Sequence, residues 1–326
     1  MNNKIRAGII GGAGYTGGEL IRLLLHHPVA EIAFVHSRSH AGSYIASVHT
    51  DLTGDTDMQF VSESDAPVDV LFLCVGHGEA KEFLQSNKVG DDRVVIDLSQ
   101  DFRLASHFTL GNRQFVYGLP EINKQDIIHA KSIANPGCFA TAIQLALLPL
   151  AISGLLHEVH VTGITGATGA GQKLQASSHF AWRANNIQAY KALSHQHVQE
   201  ILQTLQTKQA GFSKLNFIPW RGDFTRGIYI SAYTACDKEI DDVYEIYESC
   251  YHQHPFTHVS RNMIDLKQVV NTNKCLIHLE QMDGKLIVHS AIDNLLKGAS
   301  GQAVQNMNLV FGLPEDIGLK LKSLSF

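Results

Sequence analysis

The polarity pattern changes character near Asn135. Before it, short apolar runs alternate with stretches of helical spacing. Ile5–Ile10 is followed by Gly11-Gly-Ala-Gly-Tyr-Thr-Gly-Gly18 and then by Glu19-Leu-Ile-Arg-Leu-Leu-Leu25, whose apolar positions share one helical face. Residues 31–37 read as a second strand, and residues 69–75 and 93–99 are apolar runs of the kind buried on both faces of a parallel sheet. Residues 132–134 add one more short strand. The alternation predicts a Rossmann-like α/β domain over residues 1–135.

Beyond that point the regular alternation stops. Residues 158–165, 214–219 and 226–236 read as strands, and residues 274–281 and 285–292 flank Met282-Asp-Gly284, a hairpin signal. Tyr244, Ile246 and Tyr247 lie on a helix expected to cover one face of the resulting sheet. This predicts an α+β domain with a mainly antiparallel sheet over residues 136–295. A terminal segment over residues 296–326 is helical through residues 301–310 and punctuated by Pro314.

The first glycine loop sits between a strand and a helix, the context in which backbone approaches a pyrophosphate at a helix N-terminus. Gly12, Gly14 and Gly17 fit the dinucleotide fingerprint, and Gly11, Gly14 and Gly17 fit a variant of it equally well. The second strand ends in Ser37-Arg38-Ser39, where an NAD site usually has an acidic residue, so a 2′-phosphate and NADP(H) are expected. The cofactor-binding residues on this reading are Gly11, Gly12, Ala13, Gly14, Tyr15, Thr16, Gly17, Ser37, Arg38 and, after the third strand, Gly76.

The sharpest chemical signal is Asn135-Pro-Gly-Cys138. With Asn135 as N-cap and Pro136 at the first helical position, Cys138 falls in a first turn, where free N–H groups favour a thiolate. In Ser194-His-Gln-His-Val-Gln-Glu200, Ser194 is a natural N-cap, Val198, Ile201, Leu202 and Leu205 share a helical face, and His195 falls in the first turn as a neutral acid/base. Glu200 is expected to orient an imidazole. A metal reading of the same string is disfavoured, because helical residues two apart point in different directions. Thr165-Gly-Ala-Thr-Gly-Ala-Gly171 offers either an anion cradle through Thr168 and Gly169 or a tight connection between strands. Arg103 and Arg226 are either phosphate or carboxylate clamps or ordinary salt-bridge arginines.

Composition narrows the partners. With 326 residues, 44% hydrophobic and 17% charged, and a formal charge of -5, the chain shows no basic excess that points to nucleic acid or an anionic membrane. Five scattered cysteines form no CxxC pair, so reduced thiols and no zinc ribbon are expected. No run is long enough to span a bilayer, and Met1-Asn-Asn-Lys-Ile5 has no signal-peptide character. A cytoplasmic protein acting on small molecules is the expectation.

Six strings in order make the reading specific. Gly14-Tyr-Thr-Gly17, Val95-Ile-Asp-Leu-Ser-Gln-Asp-Phe-Arg103, Tyr117-Gly-Leu-Pro-Glu121, Ala134-Asn-Pro-Gly-Cys-Phe-Ala-Thr141, His195-Gln-His-Val-Gln-Glu-Ile201 and residues 293–306 resemble the N-acetyl-gamma-glutamyl-phosphate reductases of arginine biosynthesis, with semialdehyde dehydrogenases as broader relatives. The resemblance implies a semialdehyde-dehydrogenase-like fold. It implies that Cys138 attacks the acyl phosphate, inorganic phosphate leaves, and the thioester takes hydride from NADPH with His195 as general acid/base. It also implies that Asn294 lies near the nicotinamide, that the last helix packs on the NADP domain, and that the protein is a homo-oligomer, a dimer or tetramer.

One departure stands out. Where the family has Pro-His-Leu and then Pro-Met, this chain has Pro219-Trp-Arg-Gly-Asp-Phe224. On this reading Trp220, in a loop beside Arg221, reshapes the acyl pocket for an anionic substituent such as succinyl. The expected substrate-binding residues are thus Arg103, Asn135, Thr168, Gly169, Trp220 and Arg226. The competing functions are an aspartyl-phosphate reductase and a non-catalytic NADP sensor.

Overall fold

The computed structural model of the protein describes residues 4–63 and 66–324. The reading of Met1 to Asn3, and residues 325–326 of the terminal segment, lie outside the described residues. The chain divides into two compact units. One comprises the residues up to Pro136 together with Ala299–Lys320, and the other Gly137–Gly298 with the segment from Leu321.

The first unit is built on β1 (Ile5–Ile10), β2 (Ala30–His36), β3 (Val70–Leu73), β4 (Val94–Asp97), β5 (Val116–Tyr117) and β6 (Ser132–Ala134), in the order β2-β1-β3-β4-β6-β5. Every pairing is parallel. β3 and β4 are buried along their whole length, as continuous apolar runs require. The edge strand β5 has no counterpart in the sequence reading, because two residues carry no periodicity. Helices α1 (Tyr15–Leu25), α2 (Glu79–Ser86) and α3 (Pro120–Ile128) belong to this unit. At the C-terminal end of β4, Asp97 is fully buried and accepts hydrogen bonds from the Ser99 N–H and O–H at 2.9 and 2.8 Å. Burial pushes its carboxyl up to about 7, although the Ser99 bonds and the Arg103 charge pull the other way.

The second unit is organised on α4 (Cys138–Ile152). Its sequence is apolar all round, and it is buried from Phe139 to Ala151. A mixed sheet lies beneath it, formed by β7 (Val159–Thr165), β8 (Gln188–Ala189), β9 (Leu215–Arg221), β10 (Ile228–Ala235), β11 (Thr257–Ser260), β12 (Cys275–Met282) and β13 (Lys285–Ile292), in the order β8-β9-β7-β10-β13-β12-β11. Four of the six pairings are antiparallel. Asp283 and Gly284 both take positive φ, 49° and 69°, which matches the twist of the β12–β13 hairpin. Helix α5 (His197–Gln206) packs beside α4, and α6 (Ile240–Tyr251) packs against α4 and β11.

Pro149 lacks the N–H that would bond the Leu145 carbonyl. From α6, the Tyr251 hydroxyl supplies that bond at 2.5 Å, and the Tyr247 hydroxyl caps the Ala146 carbonyl at 2.6 Å. The core helix therefore tolerates its proline without a buried orphan carbonyl at either position.

The last helix, α7 (Ser300–Val310), returns to the first unit and packs on α1 and α3. The Ser300 hydroxyl donates to the Thr16 carbonyl at 2.7 Å, and Asn306 Nδ2 donates to the Gly118 carbonyl at 2.9 Å. The chain leaves this unit again after Lys320, so the terminal segment does not belong wholly to one unit.

Candidate active site

Helix α4 opens at Cys138, with Gly137 as an extended N-cap (φ −71°, ψ 151°) that has no side chain to offer. The cap expected at Asn135 thus falls two residues early. Asn135 serves the first unit instead, where its Nδ2 donates to the Ala299 carbonyl at 3.0 Å and its Oδ1 accepts from Asn306 Nδ2 at 3.1 Å. The capping group of α4 comes from α5, because the Gly137 N–H donates to Glu200 Oε1 at 2.8 Å. Glu200 is buried and lies in the first turn of α5, where a carboxylate meets the positive end of the helix dipole.

His195 precedes α5, which begins at His197 with Gln196 as N-cap. Ser194 is therefore not the cap, and the helical-phase argument does not apply to the two histidines. Their rings meet edge-on at 4.7 Å, and Phe139, Phe217 and Tyr190 complete the enclosure of His195 at 5.8, 5.5 and 5.7 Å. Burial first, and then the charges of His197 and Lys191, push the His195 imidazole down to about 3 against the pull of Glu200. Its Nδ1 accepts the His197 N–H at 3.2 Å, which puts the proton of the neutral ring on Nε2. In this arrangement His195 is a donor.

The thiol side of the site is shaped by Gly298. A Cβ there would sit 2.8 Å from the Cys138 Cβ and 2.7 Å from the Asn294 carbonyl oxygen, so glycine lets this loop close against the cysteine. Asn294 has both ends of its amide engaged, Oδ1 by the Gly227 N–H at 2.6 Å and Nδ2 on Thr168 Oγ1 at 3.0 Å. Through these two bonds the Asn294 side chain braces the segments at Gly227 and Thr168.

Other expected anion ligands are also committed to the protein. The N–H groups of Ala167 and Thr168 bond the Phe224 and Thr225 carbonyls, and the Thr168 hydroxyl donates to the Thr225 carbonyl at 2.8 Å. A Cβ on Gly169 would meet Thr165 Oγ1 at 2.9 Å. This loop is the tight connection and not the cradle. Arg226 Nε pairs with the buried Asp293 at 2.7 Å. In the first unit, Arg103 donates from Nε to the Asn135 carbonyl and from Nη2 to the Leu98 carbonyl, both at 2.8 Å.

Trp220 requires the clearest correction. It is not in a loop but in β9, opposite Ala189 and Ile164. Strand alternation puts it on the face of Asn216 and Ile218, whereas Phe217, which touches His195 and Phe139, is on the other. Arg221 has the parity of Phe217, and its guanidinium lies 4.1 Å above the Tyr190 ring. Sequence reasoning passed over His197, Tyr190 and Arg183. His197 was visible in the His-x-His string, whereas Arg183 lies in a stretch with no motif.

The nucleotide loop passes a steric test for a dinucleotide. A Cβ on Gly12 would collide with Val35 Cγ1, and one on Gly17 would lie 2.6 Å from the Gly12 carbonyl oxygen, so both are needed for strand–helix packing. Gly11 takes φ +81° with Cys74 O 2.5 Å from its Cβ position, so all of the alternative glycines have a role. Gly14 differs. It is the N-cap of α1, and the nearest atom to a Cβ there is Gly11 O at 3.9 Å. The N–H groups of Tyr15, Thr16 and Gly17 open the helix without intrahelical acceptors. Ser37 is buried at the end of β2, Arg38 beside it is exposed, and the exposed Gly76 donates its N–H to Glu79 at 3.2 Å.

Comparison with known proteins agrees with this architecture. The NAD binding domain of semialdehyde dehydrogenases matches residues 6–130, and the semialdehyde dehydrogenase dimerisation domain matches residues 138–294. Aspartate semialdehyde dehydrogenase II from Vibrio cholerae has the same fold, with a TM-score of 0.72 and 18% identity over 95% of this chain and 99% of that one. N-acetyl-gamma-glutamyl-phosphate reductases of Christiangramia forsetii and Phocaeicola vulgatus are each 54% identical, covering 98% and 99% of this chain and 99% and 100% of theirs. At that identity over nearly the whole of both chains, this protein belongs to the N-acetyl-gamma-glutamyl-phosphate reductase family, NAD(P)-dependent enzymes of arginine biosynthesis.

Proposed function

We propose that Cys138 is the acyl-carrying nucleophile of this reductase and that NADPH is its hydride donor. The observation that carries the reading is the position of the cysteine, first in a helix whose N-cap N–H bonds Glu200, with the next residue, Phe139, edge-on to the neutral His195 ring at 5.8 Å. The Cys138 sulfur attacks the γ-carbonyl carbon, a C–S bond forms, the C–O bond to phosphorus breaks, and inorganic phosphate leaves with the electron pair. The reduced nicotinamide supplies the hydride that turns the resulting thioester into a thiohemiacetal. Collapse of that species releases the semialdehyde and returns the thiolate. Through Nε2–H, His195 donates to the oxygen on which negative charge develops. The Cys138 N–H at the helix end faces the same oxyanion.

Phosphate-dependent reduction of NADP by N-acetylglutamate semialdehyde tests this directly, and no turnover of any acylated glutamate semialdehyde would count against it in favour of the sensor. The exposed Arg38 after β2 supports the preference for NADP. Arg38→Ala is expected to lower kcat/KM for NADPH by about 10- to 100-fold and leave NADH nearly untouched.

The match to a dimerisation domain supports a homo-oligomer. The face of the second sheet opposite α4 carries Trp220, Ile218 and Tyr233, the last two 36% and 43% exposed, and a second copy covers it in our reading. Ile218→Arg should then yield monomers in sedimentation experiments.

A further inference from the structure

Arg183 presents an unresolved charge. It is only 8% exposed, its Nη2 reaches the Thr165 carbonyl at 3.4 Å, and its Nε has no hydrogen-bond partner. A guanidinium so deeply buried is normally held by a carboxylate. The carboxylate whose charge reaches it is Asp223, which is exposed and accepts the Asn185 N–H at 2.6 Å. A second guanidinium, Arg221, opposes it electrostatically. Arg221 lies 4.1 Å over the face of Tyr190, whose ring in turn meets His195 edge-on at 5.7 Å.

We propose that Arg183 and Arg221 form a carboxylate subsite beside the thiol–imidazole pair, filled by a carboxylate of the acylated glutamyl substrate. The assignment rests on the proposed roles of Cys138 and His195. Arg221 is delivered to this side by its parity with Phe217 in β9, and its partner across the ladder is Thr165, the residue whose carbonyl Arg183 reaches. The separation fits a carboxylate better than the phosphate. The phosphate is attached through one oxygen to the carbon that sulfur attacks. The α-carboxylate is four bonds from that carbon, roughly 5 Å away when extended, and a carboxylate on the N-acyl group is farther still. The Tyr190 ring meets both His195, at 5.7 Å, and Arg221, at 4.1 Å, so Arg221 is one ring removed from the imidazole and suits a remote group. Planar guanidinium forks suit a carboxylate in two-point contact.

The test is steady-state kinetics of the full-length enzyme with NADP, phosphate and N-acyl-glutamate semialdehydes. Arg183→Gln is expected to raise KM for the semialdehyde about 10- to 100-fold with a much smaller change in kcat, while KM for phosphate stays put. Arg183→Lys should recover part of the loss. If the Gln variant fails to fold, Arg221→Gln carries the same comparison. An α-carboxamide analogue and an N-succinyl substrate identify the source. Loss of the Arg183→Gln effect on the carboxamide assigns the α-carboxylate, and an effect confined to N-succinyl assigns the acyl carboxylate. An active wild type with unchanged semialdehyde KM in both arginine variants overturns the subsite, as does a shift in the phosphate KM instead. A wild type inactive on every acylated semialdehyde overturns the reading of Cys138 itself.

Discussion

Helices α1 and α4 both open at a glycine, and they treat their N-termini differently. At α1, the nearest atom to a Cβ on Gly14 would be Gly11 O at 3.9 Å, and the first-turn N–H groups have no intrahelical acceptors. At α4, Gly137 is equally bare, but its N–H is taken by Glu200. An end left open suits a large anion that arrives and departs. An end capped from within suits an anion that is part of the chain, the sulfur of Cys138. The same bare glycine serves exchange in one unit and permanence in the other.

The largest test of this contrast is Cys138→Ser. It is expected to lower turnover on the order of 10⁴-fold or more, while titration of the dinucleotide shows unchanged affinity. A parallel loss of cofactor binding would erase the distinction between the two ends. His195→Asn should follow, with kcat reduced on the order of 10²–10⁴-fold and the thiol still acylated slowly. Because His195 is held down to about 3, its protonation should produce no acid limb between pH 5 and 8 in the free enzyme.

The units also differ in the sign of their response to pH. Asp97 is raised from 3.8 to about 7, so the folded state favours its protonated form, and that contribution to stability is present below pH 4 and lost as pH rises to 7. His195 is lowered from 6.5 to about 3, so its contribution is present above pH 6.5 and lost as pH falls towards 3. Each amounts to a few kcal/mol by linkage. Denaturant titrations from pH 4 to 7 on Asp97→Asn and His195→Asn should therefore remove slopes of opposite sign; slopes equal to wild type in both would refute the assignment. The smallest expected effect separates glycines within one loop. Gly17→Ala forces a Cβ against the Gly12 backbone and should cost about 1–3 kcal/mol of stability. Gly14→Ala should cost about 1 kcal/mol or less yet weaken dinucleotide binding about tenfold.

Much of this was legible from spacing. Apolar runs such as Val70–Leu73 and the Asp-Gly turn at Asp283 report structure that is local or buried on all sides. A helix start was legible near Cys138, two residues before the point where α4 begins, whereas α1 begins at Tyr15, four residues ahead of the stretch read as helical. The site was not readable where chain segments distant in sequence meet. That Glu200 caps Gly137, that Thr168 and Asn294 brace each other, and that Arg183 faces Thr165 are facts of tertiary packing with no local signal. Trp220 was misplaced for a simpler reason. The strand read over residues 214–219 stopped just short of it, but β9 runs on to Arg221, and a strand's period of two then sends the indole away from His195.

The placement of α7 bears on how the protein is made. Helices α1 and α3 bury against residues that follow the whole of Gly137–Gly298 in the chain. During vectorial synthesis the nucleotide unit emerges from the ribosome first yet is completed last, after its neighbour has been translated in full. A nascent chain stalled before Ala299 holds the glycine loop with the apolar faces of α1 and α3 still waiting for their cover.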